Sequence, residues 1–350
     1  MNKNIKLSLL AITMILLSSC DDSKTKVINT IHKDGSITRT VIVKKSKIDF
    51  DYENIRVPID STWNTDIFIE INEKEDTSWI FTAEKHFANV EELNVEYDND
   101  QGSNSIMQRS ASFSKKFKWF TSNLRFSETI EKTLNVSCPM SDYFSDEELK
   151  FIYSPDLVQK NLENGVDSLK IMELKDSIDV KSEIWIFTGL FRQWIDIFYD
   201  LVENHTDLTI SREEMRLLES RSIPLLIEDN IDEDQFFISL MGEEFFNTFR
   251  TEIDSSISAL DKMGEAFWSA KKYDMEIRMP GKIIASNGYF ETIPDSLETA
   301  GILWTINGEF FLTQQYEMWA ESQINNYWTW IISALFALAI ITFFGVRFNK

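Results

Sequence analysis

The feature that most constrains this chain is an uncharged run near its end, Tyr327 to Val346, reading Y-W-T-W-I-I-S-A-L-F-A-L-A-I-I-T-F-F-G-V. Its 20 residues, at about 1.5 Å of helical rise each, match a hydrocarbon core of about 30 Å. The competing reading is a buried core helix, and the unbroken length argues against it. Tyr327, Trp328 and Trp330 sit at the upstream end, where aromatic rings favour the headgroup level. Arg347 and Lys350 follow the run, whereas Glu309, Glu317 and Glu321 precede it and the last earlier cation is Lys282. That asymmetry predicts a transmembrane helix over 327–346 with its C-terminus in the cytoplasm and the body outside.

The start of the chain points the same way. Lys3 and Lys6 precede an apolar stretch, Leu7 to Leu17, too short to span, and then Leu17-Ser18-Ser19-Cys20. Charge, short apolar run, small residues and cysteine in that order resemble the bacterial lipoprotein signal. The resemblance implies a signal peptide over 1–19 and an acyl (palmitate-type) lipid on Cys20. With both ends at one bilayer, the expected place is the bacterial inner membrane, with the body in the periplasm. Removing Lys3 and Lys6 with the signal takes the formal net charge from -22 to -24. Such a body is repelled by nucleic acid, so no nucleic-acid partner is expected. Between Lys24 and Lys47 the balance reverses, with seven bases against Asp34 alone, a segment suited to headgroups or to a solvated hairpin. With Cys20 acylated, Cys138 is left without a disulfide partner and reads as a core residue.

In chain order, 20–135 reads as β-rich. Val27 to Val43 is a hairpin about Lys33-Asp34-Gly35-Ser36. Strands follow at Asp66 to Ile71 and Ser78 to Ala83; Ala88 to Val95 is ambiguous. A long pair, Ser112 to Phe120 and Leu124 to Leu134, turns at Phe120-Thr121-Ser122-Asn123. From 136 to 270 the period is helical. Ser145-Asp146-Glu147-Glu148 and Ser211-Arg212-Glu213-Glu214 are capping boxes. Ser154-Pro155 opens a short helix that Gly165 ends. Gln235 to Trp268 carries apolar residues at steps of three and four, one long helix bent near Gly264. From 271 to 326 strands return: Tyr273 to Met279, Pro280-Gly281, Lys282 to Ser286, Gly301 to Thr305 and Thr313 to Ala320. The fold class is α+β, with N- and C-terminal strands in one sheet flanking a helical middle.

The helix Glu183 to Asn204 is apolar on most of its surface, with one polar stripe stepping by four: Thr188, Arg192, Asp196, Asp200, Asn204. Arg192 and Asp196 argue against a second span, at about 2.5–3.5 kcal/mol each. They suit a core helix with one wet edge and an Arg192–Asp196 pair at i, i+4. Alternatively the stripe Thr188, Arg192, Asp196, Asp200 faces a polar cavity that holds a ligand.

K-V-I-N-T-I-H-K-D-G-S-I-T-R-T after the cysteine, F-K-W-F-T at Phe117 to Thr121 and M-P-G-K-I-I-A-S-N-G at Met279 to Gly288 resemble uncharacterised membrane lipoproteins of the Bacteroidota type. The last stretch, with Trp304 downstream, is also similar to LppM-type envelope domains. The resemblance covers both ends of the chain, omits the helical middle, and implies an envelope location without any site residue.

No H-E-x-x-H, paired Cys, G-x-S-x-G or phosphate loop occurs. Glu203, His205 and Asp207 are the one local group of acid, imidazole and acid. Asp229, Asp232, Glu233 and Asp234 lack the ligand spacing of a calcium loop. The expectation is therefore no metal, no cofactor and no catalytic residue. The function expected is a membrane-tethered, non-enzymatic docking or sensing module with an envelope protein partner. The alternatives are a binding module for a small or lipidic ligand and a hydrolase-type enzyme around His205.

Overall fold

Strand β1 (Lys24–Ile31) turns into β2 (Ile37–Lys45) through a corner that its residues dictate. Gly35 takes φ 97°, and the Asp34 carboxylate accepts from the Ser36 amide at 3.1 Å and its hydroxyl at 2.8 Å. Ile37, Arg39, Val41 and Val43 then alternate inward along β2. The computed structural model describes residues 24–46, 59–71, 77–99, 108–154, 168–203, 205, 208–228, 232–269, 272–290 and 301–348. Cys20, the expected signal peptide and the expected helix from Pro155 to Gly165 lie outside these residues.

The chain is α+β. Among the described residues, eleven strands form two sheets. The first has the order β3 (Asn64–Ile71), β4 (Thr77–Phe87), β2, β1, β7 (Tyr273–Arg278), β10 (Gly301–Ile306), β9 (Tyr289–Phe290). The second has the order β5 (Arg109–Lys118), β6 (Thr121–Ile130), β11 (Tyr316–Asn325), β8 (Lys282–Ser286). Strands from the two ends of the chain pair in both: β1 runs parallel to β7, and β6 pairs antiparallel to β11 over its full length.

The expectation of one sheet is corrected to two. Alternation shows which side chains face inward, and a sandwich has the same alternation on both of its inner faces. Pro280-Gly281 looks like a hairpin turn, yet it carries the chain from β7 in one sheet to β8 in the other. Gly281 (φ 86°) lies so close to the Gln323 carbonyl that a side chain there would collide with backbone. The inner faces share one core that includes Val27, Ile37, Phe81, Phe126, Trp304 and Met318.

Helix α1 (Val90–Asp98), capped by Asn89, resolves the ambiguous stretch and lies against β5. The other helices build a second core: α2 (Asp146–Tyr153), α3 (Ser168–Val202), α4 (Arg212–Leu217), α5 (Glu219–Ile227), α6 (Glu233–Met241), α7 (Glu243–Thr248) and α8 (Arg250–Ser269). Both capping boxes form as read. Helix α3 begins fifteen residues before Glu183. The single helix expected over 235–268 is three, broken at Gly242 (φ 90°) and at Phe249, while α8 continues without a break past Gly264. The apolar period survives because Phe237, Phe246, Phe249 and Ile253 all face the same core. Cys138 is buried there, with its carbonyl accepting from Trp185 Nε1 at 2.9 Å. β11 starts at Tyr316, because Thr313 is buried and spends its hydroxyl on the Cys138 carbonyl. Helix α9 (Tyr327–Phe348) follows β11 directly.

Candidate functional site

The β5–β6 hairpin closes in two residues, Trp119 and Phe120, because Lys118 pairs with Thr121. The corner is thus two residues earlier than its sequence suggests. Trp119 takes φ 40°, in a position that tight hairpins usually give to glycine. An L-residue in this region costs about 1–2 kcal/mol. Helix α9 and its entry residue hold it there. Asn326 Nδ2 donates to the Trp119 carbonyl at 2.9 Å, the Asn326 amide to the Phe120 carbonyl at 2.8 Å, and Ser122 Oγ to Asn326 Oδ1 at 3.0 Å.

The rings then key hairpin to helix. Phe117 stacks on Trp328 (centroids 5.8 Å, planes 16° apart), Phe120 meets Trp330 at 4.3 Å, and Trp119 meets Trp328 at 6.2 Å. Trp119 Nε1 donates to Ser333 Oγ at 3.0 Å. Ser333 lies six residues past the helix start, so the hairpin tip reaches about 9 Å along α9. Phe117, Trp119, Trp328 and Trp330 nonetheless remain 47–55% exposed. The result is a collar of half-covered aromatic rings around the root of an apolar helix.

The predicted stripe on α3 is placed differently. Thr188 is buried and its hydroxyl donates to the Ile184 carbonyl at 2.7 Å. Arg192 grips Glu219 of α5 through two hydrogen bonds, at 2.7 and 3.0 Å, and donates to the Ser137 carbonyl at 2.8 Å. The Glu219 carboxylate raises the pKa of this guanidinium above its usual value. Asp196 accepts from Arg212 at 3.4 Å and Arg216 at 3.1 Å, and Asp200 from Arg212 at 2.9 Å. The Arg192–Asp196 pair does not form, because α4 and α5 dock along the stripe and bring closer opposite charges. The stripe is a seam between helices.

His205 Nε2 lies 3.5 Å from Glu252 Oε1, with its ring edge on Phe249, and Asp207 lies outside the described residues. Of the acidic loop, Asp232 caps α6 and Asp234 pairs with Arg250, while Asp229 is also outside. Burial, with Asp254 and other neighbouring carboxylates, pushes Glu233 up to about 7. Among the described residues, no group of three or more His, Cys, Asp or Glu side chains is placed to hold a metal.

A polar cluster inside the sandwich escaped the sequence reading. Arg39 and Glu128 are fully buried and meet at 2.5 Å. Asn29 accepts from Arg39 Nε at 2.8 Å, and Tyr97 donates to the other Glu128 oxygen at 2.9 Å. The Arg39 guanidinium also lies 5.0 Å from the centre of the Tyr97 ring, a favourable place for a cation. Burial disfavours the Arg39 charge, but Glu128 and the tyrosines outweigh it and keep the group protonated. The signal was present: Arg39 occupies an inward position between Ile37 and Val41. The pair joins β2 of one sheet to β6 of the other, and removal of either partner would leave an uncompensated charge in the core.

The chain matches no protein-family model, no curated protein and no solved structure.

Proposed function

We propose that this chain is a membrane-tethered envelope module, in which α9 crosses the bilayer and the body outside docks or senses a protein partner without chemistry of its own. One observation carries the tether: of the 18 residues Tyr327–Phe344, 6% are buried, although among the described residues this is the one helix long and apolar enough to cross a membrane. Such a surface needs a covering that the body does not supply. The collar supports the same reading, because Trp328 and Trp330 meet the hairpin rings at the level where a headgroup belt belongs. It also fixes the body to the helix, so the body holds a set pose over the membrane. Arg347 and Lys350 place the C-terminus on the cytoplasmic side in this reading.

An acyl chain on Cys20 has a geometric consequence. The β1–β2 turn lies at the α9 end of the sandwich, where Lys115 Nζ donates to the Lys33 carbonyl at 3.0 Å. Lys24 opens β1 at the opposite end, about 23 Å away along the strand. The four residues from Cys20 reach at most about 14 Å. Both anchors share one bilayer only if the sandwich leans over or the first pairs of β1 open.

Alkaline carbonate extraction of cell membranes tests the tether. The full chain is expected to stay in the pellet, and a chain lacking 327–350 with Cys20→Ala to be released. Full-length protein in the soluble fraction without detergent overturns the proposal. For the docking role, site-specific photocrosslinking from the body in intact cells should give the same adduct from neighbouring positions. Absence of any position-dependent adduct counts against it.

A further inference from the structure

The outer face of the four-stranded sheet changes its charge along its length. Two rows of paired residues lie nearest α9. The first is Lys118–Thr121–Asn325. The second crosses all four strands as Lys116–Asn123–Gln323–Lys282. Within it Gln323 Nε2 donates to Asn123 Oδ1 at 3.2 Å, which holds the middle of the row flat and uncharged. The first carboxylate appears one row further from α9, in Ser114–Arg125–Glu321–Ala285, and there Arg125 neutralises Glu321 at 3.1 Å. Three exposed lysines and four uncharged polar side chains thus form the α9 end of this face, on a chain whose formal charge is -22. Directly beyond the first row come Trp119 and Phe120, half exposed and level with the first turns of α9.

We propose that this edge is a binding surface for anionic phospholipid: Lys116, Lys118 and Lys282 take headgroup phosphates, while Phe117, Trp119 and Phe120 sit at the headgroup–acyl boundary beside α9. The inference rests on the membrane reading above. Its order of parts is the order of a bilayer surface: apolar helix, aromatic rings, then cations and hydrogen-bond donors, then water-facing ion pairs. Lysine suits the role as a flexible point charge that follows a fluid headgroup. The net acidity of the body repels the same lipids, and of the lysines at the far end of β1 and β2 Lys26 pairs with Glu276 and Lys44 with Glu70, so attraction is strongest at the α9 edge and favours an upright body. Trp119 is held in its costly backbone conformation at the one place where its indole joins hairpin, helix and boundary.

The test uses the full chain in nanodiscs of phosphatidylcholine with an admixture of phosphatidylglycerol, and measures the lipids retained through gel filtration and mild detergent exchange. The wild type is expected to retain phosphatidylglycerol in excess of its share. Lys116→Gln, Lys118→Gln and Lys282→Gln together should remove that excess, with a loss of about fivefold for the first lysine replaced. The three Lys→Arg replacements should keep it. These side chains are exposed, and an unchanged melting temperature identifies the Gln variant as folded. Equal enrichment in wild type and Gln variant overturns the headgroup proposal and leaves the tether standing. Failure of the wild type to enter nanodiscs overturns both.

Discussion

Two helices of this chain are strongly apolar, and they meet opposite fates. From Glu183 onward α3 presents Trp185, Phe187, Leu190, Phe191, Trp194, Ile195 and Phe198, and every one of these is buried under its neighbours. Helix α9 presents Ile331, Leu335, Phe336, Ile341 and Phe343, and every one of these is bare. The difference lies in the polar residues. Each charge of the α3 stripe finds an opposite charge on α4 or α5, while Trp194 and Phe198 on the apolar face are covered by Phe237, Phe249 and Ser256 of the segments that follow. Helix α9 has no charge until Arg347, and its polar groups at Thr329 and Ser333 are used by Asn326 and by the hairpin tip. Apolarity favours removing both helices from water; the body supplies that cover for α3 and leaves α9 exposed.

The sharpest way to break this contrast is truncation. Trp185→Ala removes a fully buried ring from α3 and its hydrogen bond to the Cys138 carbonyl. The expected loss is about 3–5 kcal/mol, read as a lower melting temperature of the detergent-solubilised protein by near-UV circular dichroism. Leu335→Ala in α9 should leave that melting curve unchanged. A similar loss for both would show that α9 packs against protein.

A charge gives the next largest contrast. Leu335→Lys should weaken insertion by about 2.5–3.5 kcal/mol, seen as release during carbonate extraction, while the body melts as before. Ile195→Lys should instead abolish folding, because Ile195 is fully enclosed and no acid of the stripe lies on its face of α3. Carbonate-resistant Leu335→Lys would argue that α9 lies outside the hydrocarbon.

Local chemistry was legible in the sequence wherever a few adjacent residues decide it. Asp34-Gly35-Ser36 makes its turn and Ser145 and Ser211 make their caps because each donor and acceptor lies within four residues. What a distant partner decides was not legible. Alternation along β7 and β8 is the same whether they share a sheet or face each other. The helical period runs on through Gly242 because three successive helices bury one common face. Arg39 shows its inward position, but not that Glu128, 89 residues away, waits there. Of the aromatic collar, the sequence shows Trp328 and Trp330 at the start of the apolar run, but nothing in it shows that Phe117 and Trp119 meet them, because those partners lie about 210 residues apart. The α3 stripe is visible in the sequence as polar residues four apart, and the docking of α4 and α5 along it depends on partners 12 to 27 residues away.

Acid tests how the polar half of α3 is held. Glu148 of α2 accepts from Ser177 Oγ at 2.6 Å and Lys181 Nζ at 2.7 Å, both on α3. Burial opposes its ionisation, but Lys181, Ser177 and Ser145 together hold its carboxyl at about 2. A lowered folded-state value means stability that is full above the unfolded value near 4.5 and is lost as pH falls toward 2. With solvent screening the contribution is about 1–2 kcal/mol. Glu148→Gln should lower the melting temperature at pH 7 and flatten its dependence on pH below 5. An unchanged acid limb would show that this carboxylate does not hold α2 to α3.

The smallest expected effect probes the seam itself. Arg192 and Glu219 retain 34% and 29% of their side-chain exposure, so water screens the pair even though its two hydrogen bonds are well formed. Glu219→Gln keeps the shape and one acceptor and removes the charge. It should cost about 1 kcal/mol or less, and added salt should narrow its gap from the wild type. Arg192→Met should cost more, because it also strips the Ser137 carbonyl of its donor and so loosens the segment that carries Cys138 into the helical core. A loss of several kcal/mol for Glu219→Gln would mean that the seam is far drier than its exposure indicates, and that α3 owes its cover to this one pair rather than to the apolar surface beneath it. A loss near zero for both variants would shift the whole burden of docking α5 to Ile223 and Leu226, the buried residues through which it reaches the helical core.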